Sequence, residues 1–310
     1  MRYGFGVDVG GTSIKIGFFD VDGNMLEKWS IDTDVSDSGS HILPEIAESI
    51  NAYIEKNKID RNSVIGIGLG VPGPVRSDGI IDKCVNLGWS AFNVGEELSS
   101  LTGLHVKAGN DANVAALGEM WCGSGRGCEN VVMVTLGTGI GGGVIIGGRA
   151  LHGAHGAGGE IGHISISHKE NRVCACGKVN CIEAYASGPA IARTGKTRVA
   201  EYAGVTTLSS VENITAKEIF EHADNGDALA CEIVEEIGEL LGEVLANVAC
   251  VSDPDIFIIG GGVSHAGQLL IDVVQKHYKR NVFHASEEAK FAVAALGSDA
   301  GKYGAVRLLL

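Results

Sequence analysis

Leu136-Gly137-Thr138-Gly139-Ile140-Gly141-Gly142-Gly143 repeats, far downstream, the device already present at Asp8-Val9-Gly10-Gly11-Thr12. Each is a glycine-threonine turn between apolar runs of β type. Tyr3 to Val9 leads into the first turn and Ile14 to Phe19 leaves it, while Val131 to Leu136 leads into the second and Val144 to Ile146 leaves it. Glycine lets backbone N–H groups crowd toward phosphate oxygens with no Cβ in the way, and threonine adds a hydroxyl donor. Together the two turns point to a split nucleotide-phosphate site. The plainer reading of either turn alone is a glycine hairpin, because Gly is 46 of the 310 residues, about twice the usual ~7%.

The chain length is that of about two domains of 100 to 200 residues, enough for two cores with a cleft between them. A net charge of −14 and a pI near 5.1 argue against nucleic acid and anionic membrane as partners. Met1-Arg2-Tyr3-Gly4-Phe5 lacks the basic and apolar stretches of a signal peptide, and no run of 18 apolar residues occurs, so a cytoplasmic location is expected. Without a secretory signal, the eight cysteines read as thiols available for metal or packing and not as a disulfide framework.

Asp22-Gly23 turns the second strand into a third, Met25 to Ile31, which makes an opening meander. A helix is predicted from about Gly39 to Lys58, with Ile42, Ile46, Ile50 and Ile54 on one face. Val64 to Val71 reads as a buried strand ended by Pro72-Gly73-Pro74, and His105 to Ala108 as a short strand before a helix from Asp111 to Met120. After Gly123-Ser124-Gly125-Arg126-Gly127 the strand-turn-strand pattern begins again, as in a divergent duplication. Ala228 to Cys250 is a long helix, Ile256 to Ile259 a buried strand, and Gly260-Gly261-Gly262 a backbone that a ligand can approach closely.

Two rival motifs fail on context. Ala190 to Thr197 nearly spells a P-loop, but a helix end and turn precede it where a buried strand is required, and Pro189 suits a helix start. Gly137, Gly139 and Gly142, with Glu160 about 20 residues on, match a dinucleotide fingerprint. That motif needs a helix at its third glycine, whereas Gly143 to Ile146 has the length of a strand.

Asn110-Asp111 places a carboxylate at a strand-to-helix turn between the two phosphate loops, a candidate base for a substrate hydroxyl. The alternative is an ordinary N-cap. Cys174, Cys176 and Cys181 crowd three thiols into eight residues with His163 eleven residues upstream, the ligand types of a closed Cys₃His zinc site. Buried or redox thiols are the alternative, since the spacing is not that of common zinc fingers. The remaining cysteines are scattered and read as small core residues.

On these residues the chain resembles the ROK family of sugar kinases, repressors and uncharacterised open reading frames, its glucokinase branch above all. The resemblance spans essentially the whole chain. It is carried by Asp8 to Thr12 with Lys15, Gly70-Val-Pro-Gly-Pro74, Asn86-Leu-Gly-Trp89, Asn110-Asp-Ala-Asn113, Leu136 to Gly142, Gly159-Glu-Ile-Gly-His163, Cys174-x-Cys176-x₄-Cys181-x-Glu183 and Ile259 to Gly262. It implies an α/β fold of two ribonuclease-H-like domains, as in actin and hexokinase, around a central cleft. Residues 1–117 would form the smaller domain, joined by a last helix at 299–310, and residues 118–298 the larger one with the zinc loop.

The resemblance also implies ATP-dependent phosphorylation of D-glucose to glucose 6-phosphate, with N-acetylhexosamine kinase, fructokinase or mannokinase as alternatives. Asp111 would be the general base, and Gly73, Asn86, Asn110, Glu160, His163 and Glu183 would bind the sugar. Gly10, Gly11, Thr12, Lys15, Gly137, Thr138 and Gly139 would hold ATP, Asp8 would face Mg²⁺, and Gly261 and Gly262 would border the adenosine. His163, Cys174, Cys176 and Cys181 would hold a structural Zn²⁺, and the assembly would be a homodimer or homotetramer. The family's cysteine loop usually has a second glycine where this chain has Asn180, a residue that tolerates left-handed backbone. Gly109 also stands where a larger polar residue is frequent. A sugar-responsive repressor would need a DNA-binding module ahead of Asp8.

Overall fold

The computed structural model describes residues 1–310. The chain folds as two compact units that interleave in sequence. Met1–Glu129, Gly143–Gly159 and Ala295–Leu310 make the first, and Asn130–Gly142 with Glu160–Ala294 make the second.

In the first unit, strands β1 (Tyr3–Val9), β2 (Ser13–Asp20) and β3 (Met25–Asp32) pair antiparallel. The predicted turn between β2 and β3 is fixed by Asp20, whose carboxylate accepts the N–H groups of Asp22 at 3.0 Å and Asn24 at 2.9 Å. Helix α1 (Ile42–Lys56) buries the four isoleucines at the expected spacing. It begins three residues later than the sequence pattern suggests, because Asp37, Ser38 and Gly39 all take positive φ and cannot join a right-handed helix. Strand β4 (Val64–Val71), helix α2 (Val94–Thr102), strand β5 (Val106–Asn110) and helix α3 (Asp111–Cys122) follow. Both strands add in parallel, giving the sheet order β3-β2-β1-β4-β5.

The second glycine-threonine turn joins β6 (Val131–Leu136) to β7 (Ile140–Ile146), which a short β8 (Arg149–Ala150) follows. That β7 is a strand removes the dinucleotide reading. Helices α4 (Gly188–Glu201), α5 (Ala216–Asp224) and α6 (Ala228–Ser252) precede β9 (Ile256–Gly260), α7 (Gln268–Asn281) and β10 (Lys290–Val293). The P-loop look-alike lies wholly inside α4. This sheet runs β8-β7-β6-β9-β10, with β9 parallel to both β6 and β10. Rank for rank it is the strand order of the first sheet, so the duplication seen in the sequence extends to topology.

The last helix, α8 (Ala300–Arg307), belongs to the first unit, where it lies at backbone distance from α3 and from two strands. A Cβ at Gly304 would stand 1.6 Å from the Val114 carbonyl oxygen, and one at Gly118 would stand 2.2 Å from that of Ala300. On the sheet side, Gly68 would meet the Ala305 carbonyl oxygen at 1.7 Å and Gly6 that of Lys302 at 2.1 Å. Glu119, fully buried on α3, accepts the N–H groups of Ala295 at 3.1 Å and Leu296 at 2.7 Å, which fixes the approach to α8.

Gly304→Ala therefore forces two helix backbones apart. Alanine's better helix propensity, worth ~1 kcal/mol, is outweighed by overpacking that typically costs about 1–3 kcal/mol and costs more where both contacts are backbone. Urea unfolding should show a net loss of about 2 kcal/mol or more; wild-type stability would mean that α3 and α8 separate freely.

Candidate active site

The first turn is closed by one bond of its own and tied to Thr33, just past β3. Gly10 N–H donates to Ser13 O at 3.1 Å, the Thr33 hydroxyl donates to Gly10 O at 2.7 Å, and Thr33 N–H donates to Thr12 O at 3.1 Å. Gly11 and Thr12 are exposed, and no atom lies within 4 Å of where a Gly11 Cβ would be. Asp8 sits one residue before the end of β1, paired across the sheet with Lys15 and Gly70. Burial raises its carboxyl above the ordinary carboxylate range, against the opposing pull of Lys15 and Lys302. A Cβ at Gly301 would stand 2.7 Å from Asp8 Cγ, so α8 also backs this carboxylate.

At the start of α3 Asn110 is the cap residue, and Asp111 Oδ1 shares its load by accepting from Ala112 N–H at 2.8 Å. Asn110 Oδ1 accepts from Ala112 N–H and Asn113 N–H, both at 3.1 Å. Its amide donates to Gly73 O at 3.1 Å and to Asp111 Oδ1 at 3.0 Å. Two lone pairs and two N–H donors are thereby all engaged, and a sugar hydroxyl would have to displace one of these partners. Asp111 becomes the first residue of the helix, half-buried, with its carboxylate at the positive end of the helix dipole. Burial raises the Cys84 thiol, and the charge of Asp111 adds to that rise. Asn86 is exposed on the turn Val85–Leu87.

In the second unit Gly137 N–H donates to Gly139 O at 2.9 Å, closing the turn, and Gly137 O accepts from Gly188 N–H at 2.9 Å. Gly261, with φ +81°, lets β9 end against the backbone of Leu136, where a Cβ would meet the carbonyl oxygen at 2.5 Å. Beside the turn lies a cavity of about 1010 Å³ lined by Gly137, Thr138 and Gly262 together with Pro189, Phe220, Val263 and Leu269. Gly139 and Gly261 are not in its wall. The apolar side chains from α4, α5 and α7 went unread in the sequence, since nothing local marks a helix face as the wall of a distant turn.

Glu160 and His163 flank a short 3₁₀ turn, with Oε2 and Nε2 3.9 Å apart. His163 Nδ1 faces the Cys174 sulfur at 3.8 Å, and the sulfurs of Cys176 and Cys181 are 3.6 Å apart. Donor atoms of all four residues lie within 4.8 Å of one another, a spacing that suits tetrahedral sulfur and nitrogen ligands at about 2.0–2.3 Å from one ion. Burial pushes the Cys174 thiol up to about 12. Asn180 takes the left-handed backbone expected of it, with φ +63°. Its side chain adds a function that glycine could not supply, donating to Asn171 Oδ1 at 3.1 Å and accepting from the Tyr185 hydroxyl at 2.5 Å.

A model of the ROK family matches residues 4–310. The chain belongs to the ROK family. A glucokinase of Halalkalibacterium halodurans is 40% identical over 98% of this chain and 93% of its own length. An N-acetylgalactosamine kinase of Shewanella is 31% identical over 98% of this chain and 96% of its own. Among solved structures, a ROK glucokinase of Streptomyces griseus in complex with glucose and AMPPNP superposes with a TM-score of 0.75, at 34% identity, over 99% of this chain and 98% of that one. The ROK fold of actin and hexokinase type accounts for the two sheets of identical strand order. No helix is long and apolar enough to cross a membrane.

Proposed function

We propose that this ROK protein transfers the γ-phosphoryl group of ATP to the 6-hydroxyl of D-glucose. The observation that carries the mechanism is the division of labour at the start of α3, where Asn110 caps the helix and Asp111 is left at its mouth, with Asn110 orienting it. Phosphoryl transfer asks the protein to align nucleophile and phosphate and to neutralise spreading charge. Asp111 takes the hydroxyl proton, the oxygen attacks the γ-phosphorus, and the bond to the β-phosphate oxygen breaks to release ADP. Glu160, His163 and Glu183, with Asn86, Gly73 and Asn110, orient the sugar. The turns at Gly10 to Thr12 and Gly137 to Gly139 present N–H groups and threonine hydroxyls to the phosphates.

The apolar cavity beside Thr138 fits an adenosine, with Gly262 in its wall and Gly261 holding β9 in place. Mg²⁺ belongs at Asp8, whose carboxyl is raised by burial and would be stabilised as an anion by a cation and by Lys15. His163, Cys174, Cys176 and Cys181 fit one structural Zn²⁺, which would fix the loop as a tetrahedral anchor. With Nδ1 toward the sulfurs and given to the ion, His163 would present Nε2 to Glu160. The N-acetylgalactosamine kinase relative supports a second reading, an acceptor with an acetamido group at the sugar 2-position.

A coupled ADP-release assay over a hexose panel is expected to give D-glucose the highest kcat/KM. A higher value for an N-acetylhexosamine, fructose or mannose would move the specificity and keep the kinase. Asp111→Asn should retain glucose and ATP binding while losing ~10²–10⁴ in kcat, the usual size of general-base catalysis; near-wild-type turnover would remove Asp111 from that role. Elemental analysis of freshly purified protein should find one zinc per chain, lost in Cys181→Ser along with sugar affinity. Native protein without tightly held zinc would leave these thiols as packing groups.

A further inference from the structure

Ile140 opens β7 directly after the glycine-threonine turn, and its backbone receives two other loops. Its N–H donates to Glu183 Oε2 at 2.9 Å, while Glu183 Oε1 accepts from the Cys174 thiol at 3.4 Å. Gly139 is what admits the carboxylate, since a Cβ there would stand 2.5 Å from Oε2. At the next peptide of the chain, Gly162 seats the Glu160 to His163 turn, its Cβ position 2.2 Å from the Ile140 carbonyl oxygen. Ile140 is itself buried, so this junction is packed and not mobile surface.

We infer that Glu183 is a positioning residue for the nucleotide, holding the Gly137 to Gly139 turn in the shape that receives phosphate. The inference rests on the kinase reading above and adds to the sugar contact expected of Glu183. A hydrogen bond to a carboxylate is roughly twice as strong as a neutral one, and it acts here on the residue where turn becomes strand. The Ile140 N–H bond alone carries this role, because a zinc-bound Cys174 would be a thiolate with no proton to give Glu183.

The test is calorimetric titration of the full chain with Mg-ADP in the absence of sugar, where a sugar-contact role alone has no effect. Glu183→Ala is expected to weaken ADP about tenfold, and hydrogen exchange at the Ile140 amide should quicken. Glu183→Gln keeps an acceptor for that N–H and removes the charge, so it should bind ADP within about threefold of wild type. Should Glu183→Ala not fold, Gly139→Ala, which drives a methyl against Oε2, is expected to produce the same faster exchange at Ile140 and weaker ADP binding. ADP affinity within twofold of wild type in the folded alanine variants, with Ile140 exchange unchanged, overturns the inference. A wild-type protein that binds no ADP at all overturns the kinase reading itself and takes this inference with it.

Discussion

The first unit depends on one steric constraint, that helix α8 must touch backbone. Four glycines, two on strands and one on each of two helices, remove the side chains that would otherwise hold α8 off α3, β1 and β4. Packing at that distance is unforgiving, because interiors are as dense as organic crystals and the atoms in contact are carbonyls that cannot rotate away. What it secures is functional geometry. The same helix backs Asp8 through Gly301 and brings up Lys302, and the helix it grips, α3, is the one that begins with Asp111.

In the second unit the equivalent turn is held by a different set of polar bonds, without a helix at backbone distance behind it. Gly188 donates to it from the start of α4, Glu183 takes the N–H just beyond it, and Gly261 closes against the strand before it. The two turns occupy the same place in sheets of the same strand order. They are therefore one structural idea with two modes of support. Burial and two lysines set the charge around Asp8 in one, whereas the other leans on a loop whose thiol cluster suits a metal.

Much of this was legible locally. The turns, the isoleucine spacing of α1, the strand nature of β7 and the helix that hides a false P-loop each follow from a few adjacent residues. Asn180 was legible too, as a residue able to take positive φ, though its bonds to Asn171 and Tyr185 were not. Pairings distant in sequence escaped. Ile140 and Glu183 are 43 residues apart, Gly118 and the α8 backbone far more, and no periodicity announces either. Which of Asn110 and Asp111 caps α3 escaped for the opposite reason: both residue types cap helices well, and only the direction of each side chain decides.

Helix α8 is encoded at residues 300–307, after the whole of the second unit. During synthesis, which proceeds at about 5–20 residues per second, the strands and helices of the first unit emerge early and wait. Until α8 arrives, the glycine faces of β1, β4 and α3 are bare grooves without their partner. The second unit can close first, so the order of completion inverts the order of translation, and the carboxylate at Asp8 acquires its final surroundings last.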